Sequence, residues 1–484
     1  MIMLTSTRYF ALTMAGLFCV QIAAFAQSGS TILPTDGEAD IIRKAATTVP
    51  SSRQWRWQQL ELTAFFHFGI NTFTDREWGD GKEDISLFNP SRLDARQWVR
   101  TARDAGIKQV ILTAKHHDGF CLWPTKYTEH SIKNTPYKNG RGDIVREVAE
   151  ACKAYGMGFG IYLSPWDRNS PYYGDSAKYN TLFMQMLTEL LTNYGKIDEV
   201  WFDGANGEGP NGRKQVYAFE AWYHLIRRLQ PQAVIAVMGP DVRWVGTESG
   251  TGRLTEWSVL PVNASQQESI AANSQKDETF APFGNMMDED LGGRDKLMAA
   301  KGLIWYPAET DVSIRPGWFY HAAEDGKVRS PENLMDIYFN SVGRNSVLLL
   351  NIPPDKDGLI SQADISSLRG WRHGLDATFR INLAAGAKVT TSKDSTTIEF
   401  ALAGEKTFDV LLLQENILIG QRVEKFVLEY PGRDGWQTIV EGTTIGYKRL
   451  LRFPSVTTGK VRLRILSSRL NPTIAEFGLY KQMK

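Results

Sequence analysis

The sequence predicts an α/β protein: a (β/α)8-like barrel with an irregular second half over residues 27–371, followed by an all-β sandwich over residues 372–484. Three observations predict it. Up to Trp371, short apolar runs alternate with segments of helical period, the pattern of βαβ units around a parallel sheet. After Trp371 the helical segments stop and short alternating strands separated by turn residues take over. A chain of 484 residues is long for one domain and sufficient for two. A doubly wound sheet fits less well, because no Gly-rich phosphate loop follows the first strand.

Residues 1–26 read as an address rather than as part of the fold. Arg8 precedes an apolar run from Ala11 to Ala26, which closes on Ala24-Phe25-Ala26 before Gln27. A positive start, an apolar middle and an A-x-A site make a secretory signal peptide. Cleavage is expected after Ala26, with export to the periplasm or the exterior. Phe18 suits lipid attachment at Cys19 poorly. No later stretch approaches the roughly 20 apolar residues of a membrane span.

A lead-in with a short helix near Ala39–Thr48 precedes the alternating region. Strands are expected at Leu62–Ile70, Gln109–Ala114, Met157–Ser164, Glu199–Asp203, Ala233–Met238, Val242–Val245, Gly302–Tyr306 and Ser346–Ile352. Helices are expected at Asp94–Ala105, Ile144–Tyr155, Asn180–Tyr194, Lys214–Leu229 and Pro331–Val342. Asp94 and Asp143 stand at N-caps, and Gly106, Gly156 and Gly195 follow helix ends. The rhythm weakens between Asp241 and Lys301. In the C-terminal part, strands are expected at Thr397–Leu402, Thr407–Leu413, Val423–Tyr430, Trp436–Val440, Arg449–Phe453 and Lys460–Leu466.

Composition narrows the function classes. Hydrophobic content of 42% permits a large core, and a net charge of +1 without basic stripes or charge runs argues against nucleic acid and membrane surfaces as partners. A neutral substrate fits better. Beyond the address only Cys121 and Cys152 remain; neither has a C-x-x-C partner, which speaks against a thiolate metal site, and free thiols are expected.

The strand ends gather the chemistry. His67 closes the first, with Glu77-Trp78 following; Lys115-His116-His117-Asp118 closes the second. Tyr162, Ser164, Trp166 and Asp167 lie at the third, Trp201 and Asp203 at the fourth, and Trp244, Glu248, Glu309, Asp311, Arg315 and Trp318 come later. In a barrel these positions meet on one face. Adjacent residues on a strand point to opposite faces, so His116-His117 make a poor metal pair without further ligands. Aromatic faces set among histidines and carboxyl groups suit a sugar instead. Glycosidic cleavage calls for an ionised nucleophile and a carboxyl group that keeps its proton. Asp203 suits the first role; Glu208, Glu248, Glu256 and Glu309 are candidates for the second.

The assembled motifs resemble the family 29 α-L-fucosidases. They are Phe66-His67-Phe68-Gly69 with Glu77-Trp78, Lys115-His116-His117-Asp118-Gly119-Phe120, Gly160-Ile161-Tyr162-Leu163-Ser164, Val200-Trp201-Phe202-Asp203-Gly204, and Leu350-Asn351-Ile352-Pro353-Pro354. The resemblance implies exo-hydrolysis of terminal α-L-fucosyl linkages with retention, without metal or organic cofactor. It implies Asp203 as nucleophile, with His67, Glu77, His116 and His117 binding fucose hydroxyls and Tyr162, Trp201 and Trp318 lining the pocket. Trp244-Val245-Gly246-Thr247-Glu248-Ser249-Gly250 and Glu309–Trp318 resemble the subgroup acting on α1,3/1,4 linkages, which implies Glu248 as acid/base. The expected partner is a fucosylated oligosaccharide or glycoconjugate. The rival readings are a non-catalytic glycan-binding protein, a metal-dependent hydrolase built on His67, His116, His117 and Asp118, and a sugar-binding sandwich.

Overall fold

The computed structural model describes residues 29–262 and 289–482; the address of residues 1–26 lies outside the described residues. The barrel strands are β1 (Leu62–Phe66), β2 (Gln109–Lys115), β3 (Gly158–Leu163), β4 (Glu199–Phe202), β5 (Val234–Val237), β6 (Arg243–Trp244), β7 (Ala308–Ser313) and β8 (Ser346–Asn351). They pair in the order β5-β4-β3-β2-β1-β8-β7-β6, and every pairing is parallel. The two strands at the ends of this sheet are consecutive in the chain, so the barrel is nearly closed.

Helices Ala95–Asp104, Ile144–Tyr155, Ser176–Asn193 and Phe219–Leu229 connect the first five strands. Asp94 and Asp143 cap their helices by accepting the backbone N–H of Gln97 and Arg146. Gly156 takes the left-handed conformation (φ 67°) that ends the second helix, a position where a Cβ would be strained. No helix separates β5 from β6. Here Asp241 holds the seam: its carboxylate accepts from the Ile235 N–H at 2.9 Å and Arg53 Nε at 2.8 Å, and pairs with Arg227. That missing helix is the irregularity in the second half.

The expected strand Gly302–Tyr306 is not a barrel strand. Gly302–Trp305 lies between Gly29–Thr31 and Val259–Val262 in a separate three-stranded antiparallel sheet. The seventh barrel strand is Ala308–Ser313, whose pattern inverts the usual one. Val312 faces the helices in the main core, while Glu309 meets Trp201 inside the barrel. Polar groups on the inner face hid the strand from an apolar-run reading.

The C-terminal sandwich is built from one antiparallel sheet, β9 (Lys388–Thr391) to β14 (Ile474–Tyr480), with β10 (Thr397–Glu415), β11 (Val423–Gly432), β12 (Gly435–Gly442) and β13 (Arg449–Ser468) between them. Two pairs of expected strands are in fact single long strands. Thr397–Leu402 and Thr407–Leu413 join in β10, and Arg449–Phe453 and Lys460–Leu466 join in β13. Register shifts between Ala401 and Lys406 and between Phe408 and Val410 replace the expected turns, so each strand bends without ending. Phe400, Phe408, Leu411, Phe426, Leu463 and Leu479 share one core inside the folded sheet.

Helix Gln362–Phe379 runs through residue 371 into the sandwich, where Phe379 packs on Tyr480. Loop amides of the barrel find acceptors across the junction: Glu256 N–H on Thr444, Ser258 N–H on Gln421 and Asn345 N–H on Lys448. Cys121 and Cys152 are free and buried. No described helix is long and apolar enough to cross a membrane.

Replacing Asp241 by Ala removes the shared carboxylate of two arginines and one strand amide. The expected loss is about 3–5 kcal/mol, the scale for breaking a buried ion pair, read from the denaturant midpoint.

Candidate active site

The interior of the barrel fixes the site from below. Helix Ser52–Gln58 places Trp57 under the barrel, where its Nε1–H donates to Glu199 Oε2 at 3.0 Å. Gln109 donates to the same oxygen at 2.6 Å. Gly160 on the neighbouring strand makes room, since a Cβ there would come within 3.2 Å of the Glu199 side chain. Above lies Glu309, which accepts the Trp201 indole N–H at 2.7 Å. Glu199 Oε1 and Glu309 Oε2 are both buried with no hydrogen-bond partner among the described residues. Burial pushes the Glu309 carboxyl well up, helped by the Glu199 charge, and burial raises Glu199 as well. The pair therefore retains a proton at neutral pH.

Trp201 stacks on Tyr162 with ring centroids 5.1 Å apart. The Tyr162 hydroxyl donates to Asp203 Oδ2 at 3.1 Å, and the Ala205 N–H donates to Oδ1 at 2.7 Å. Asp203 thus sits one residue past β4, held from two sides, with a side chain 25% exposed.

Three histidines line the wall. The Asn351 amide donates to Ser313 Oγ and the Trp318 carbonyl, which leaves its oxygen to accept from His67 Nδ1–H at 2.8 Å. The Ser164 hydroxyl donates to the Trp166 carbonyl and accepts from His117 Nδ1–H at 2.7 Å. In both rings Nε2 is left as an acceptor, and His117 Nε2 lies 3.8 Å from Asp203 Oδ2. Burial lowers all three histidines, His67 to about 4, so they are neutral at physiological pH. His116 Nδ1 is buried without a hydrogen-bond partner.

His116 and His117 do not diverge as residues of a strand would. Their rings are 4.2 Å apart, because β2 ends at Lys115 and its register against β3 shifts after Thr113. Among the described residues, no group of three or more His, Cys, Asp or Glu side chains is placed to hold a metal.

The acid candidates separate by environment. Glu256 is buried between Arg243 and Arg253. Glu309 is sealed beneath Trp201, and Glu208 is an exposed loop residue whose carbonyl accepts from Trp166. Glu248 stands at the rim and accepts the Trp318 indole N–H at 3.3 Å. Partial burial raises its carboxyl, the Trp318 bond opposes this, and the charges of Asp203 and Glu77 push it further up. Trp244 donates to the buried Asp311 at 2.8 Å rather than to Glu248.

Glu77 is committed to the protein as well as open to a ligand. Its oxygens accept the backbone N–H of Trp318 at 2.7 Å and of Phe319 at 3.1 Å, and meet His321 Nε2 at 2.7 Å. Sequence reasoning missed Asn351, Ser164 and His321 as supports. The first two stood inside noticed motifs, whereas His321 had no signal beyond lying three residues after Trp318. A cavity of about 1290 Å³ opens at the opposite end of the barrel beside Arg53, Lys108 and Tyr155, away from these carboxyl groups.

The profile of the α-L-fucosidase family matches residues 44–372. The chain is 43% identical over 466 residues to α-L-fucosidase 1 of Arabidopsis thaliana, covering 89% of this chain and 87% of that protein. A solved structure from Bacteroides ovatus superposes with a TM-score of 0.88 at 52% identity, covering 95% of this chain and 78% of that one. A Ruminococcus gnavus glycoside hydrolase family 29 fucosidase, solved in complex with fucose, superposes with a TM-score of 0.76 at 32% identity, covering 90% of this chain and 95% of that one.

Tyr162→Phe removes one hydrogen bond to a carboxylate while keeping the stack on Trp201. Turnover on the substrate of this site is expected to fall about tenfold or more, with an unchanged melting temperature. A second outcome concerns pH. With a folded pKa of about 4 against 6.5 unfolded, His67 binds fewer protons in the native state across that window. Stability should therefore fall as pH drops from 6.5 towards 4, by on the order of 3 kcal/mol from this residue. His67→Gln should flatten that slope in denaturation curves taken across the window.

Proposed function

This chain belongs to the α-L-fucosidase family, glycoside hydrolase family 29, and on that premise we propose a retaining exo-enzyme that removes terminal fucose by double displacement. Asp203 is the nucleophile and Glu248 the acid/base. The observation that carries this reading is the contrast between the two carboxyl groups. Asp203 is held by a phenol and a backbone amide in a form ready to attack, while Glu248, partly buried and facing the charge of Asp203, is pushed towards keeping its proton. One can attack the anomeric carbon while the other protonates the departing oxygen.

In the first step Asp203 bonds to the anomeric carbon and the Glu248 proton passes to the aglycone oxygen. In the second, ionised Glu248 takes a proton from water, the water oxygen attacks the same carbon, and Asp203 leaves. The carboxyl groups of retaining enzymes lie about 5–5.5 Å apart, close enough for this exchange. His67 and His117, each with a bare Nε2, accept hydroxyl protons of fucose. His116 and Glu77 bind further hydroxyls, and Tyr162, Trp201 and Trp318 supply the walls. Neutral histidines recognise a neutral sugar without paying for a buried charge.

The substrate is a fucosylated oligosaccharide or glycoconjugate, with fucose in α1,3 or α1,4 linkage. Glu248 within Trp244–Gly250, and its contact with Trp318, support that subgroup. The protein is proposed to be exported, with its signal peptide removed after Ala26.

Glu248→Ala should lose hydrolysis of natural oligosaccharides and recover turnover of an activated aryl fucoside when azide is added, giving α-fucosyl azide. Asp203→Gly should lose turnover of the same aryl fucoside unless azide takes the nucleophile's place, giving the inverted β-fucosyl azide. Proton NMR of the first sugar released by the native enzyme should show the α anomer; initial β-fucose would overturn retention. Faster release of fucose from a Lewis-type trisaccharide than from a 2′-linked one checks the linkage.

A further inference from the structure

Trp318 is the only described side chain that donates a hydrogen bond to Glu248, and it does so from a loop with little regular structure. What holds that loop is a relay of carboxylates and one histidine. His321 Nδ1 lies 2.7 Å from Asp75 Oδ1, and Nε2 lies 2.7 Å from Glu77 Oε1. Glu77 in turn takes the Trp318 and Phe319 amides. The same loop is pinned from its other side by Glu324, which accepts the Gly317 N–H at 3.2 Å, and by Asn351, which donates to the Trp318 carbonyl at 2.7 Å.

We propose that His321 is a positioning residue: it ties Asp75 to Glu77 and, through the grip of Glu77 on the Trp318 loop, aims the indole that governs Glu248. A neutral imidazole has one N–H and cannot donate to two carboxylates, so the clamp is complete only with a protonated ring. The charged groups around it agree with this. Asp75 and Glu77 face the two ring nitrogens, Glu324 flanks the loop, and the cation Lys356 lies towards Asp75. Burial disfavours the charged ring, but the bonds to Asp75 and Glu77 outweigh it and the balance is upward. The clamp is whole below that raised value and opens as pH rises through it.

The proposal rests on Glu248 as the acid, and the test separates the two. Hydrolysis of a Lewis-type trisaccharide is followed against pH for the native enzyme, His321→Gln, Trp318→Phe and the double variant. The Trp318 indole favours ionised Glu248, so losing it should move the alkaline limb of kcat/KM upward in both single variants. KM should rise about tenfold in His321→Gln. The double variant should show no alkaline shift beyond that of Trp318→Phe, because both act through one bond.

Asp75→Asn, at an exposed position, should shift the limb in the same direction and serves if His321→Gln fails to fold. Native KM and an unmoved alkaline limb in a folded His321→Gln would overturn the proposal. So would shifts that add in the double variant. If Glu248→Ala is not rescued by azide while His321→Gln still raises KM, the acid assignment falls and the clamp stands as a loop anchor.

Discussion

Two carboxyl groups closed inside the barrel constrain everything above them. Glu199 and Glu309 are both fully buried, and burial raises both carboxyl groups towards their protonated form. Hydrogen bonds fix where each side chain lies. Trp57 and Gln109 secure the lower group, and the upper one takes the indole of Trp201. Trp201 then sets Tyr162 by stacking, and Tyr162 sets Asp203. Asp203 is thus aligned along the barrel axis through a chain of contacts from the strands, which is how a rigid scaffold can hold a group within tenths of an ångström.

The rim works on different terms. There the groups belong to loops after β1, β6 and β7, and carboxylates join them. Glu77 joins the first and last of these loops, and Trp318 reaches over to Glu248. The contrast suits the chemistry of this enzyme family. In the mechanism proposed above, the nucleophile must stay where it is, whereas the proton carrier meets aglycones of varied shape and gains from adjustable surroundings. The histidines fall between the two: buried enough to stay neutral, with His67 and His117 each oriented by a polar partner that decides which nitrogen is left bare.

Much of this was legible in the chain. The first five strands could be read from apolar runs because both of their faces are covered, and Asp94 and Asp143 marked two helix starts. Glu199-Val200-Trp201-Phe202-Asp203-Gly204 announced a strand tip carrying a carboxylate. What could not be read follows from physics that a linear pattern does not carry. Ala308–Ser313 has polar groups on its inner face, satisfied only by residues from distant strands. Gly302–Trp305 is as apolar as a barrel strand, yet it pairs with two segments outside the barrel. The bends in β10 and β13 depend on register shifts that resemble turns in sequence. His321 looked like any exposed histidine until the folded chain put a carboxylate at each of its nitrogens.

The junction between barrel and sandwich has a consequence for how such proteins diversify. The amides of Glu256, Ser258 and Asn345 end on Thr444, Gln421 and Lys448, so the second module completes the bonding of connections that belong to the first. A foreign β-module grafted at this point would have to reproduce those acceptors at matching heights. Shuffling by simple recombination is therefore disfavoured, and the two modules are expected to descend together, with variation concentrated in the surface loops that neither one borrows from the other.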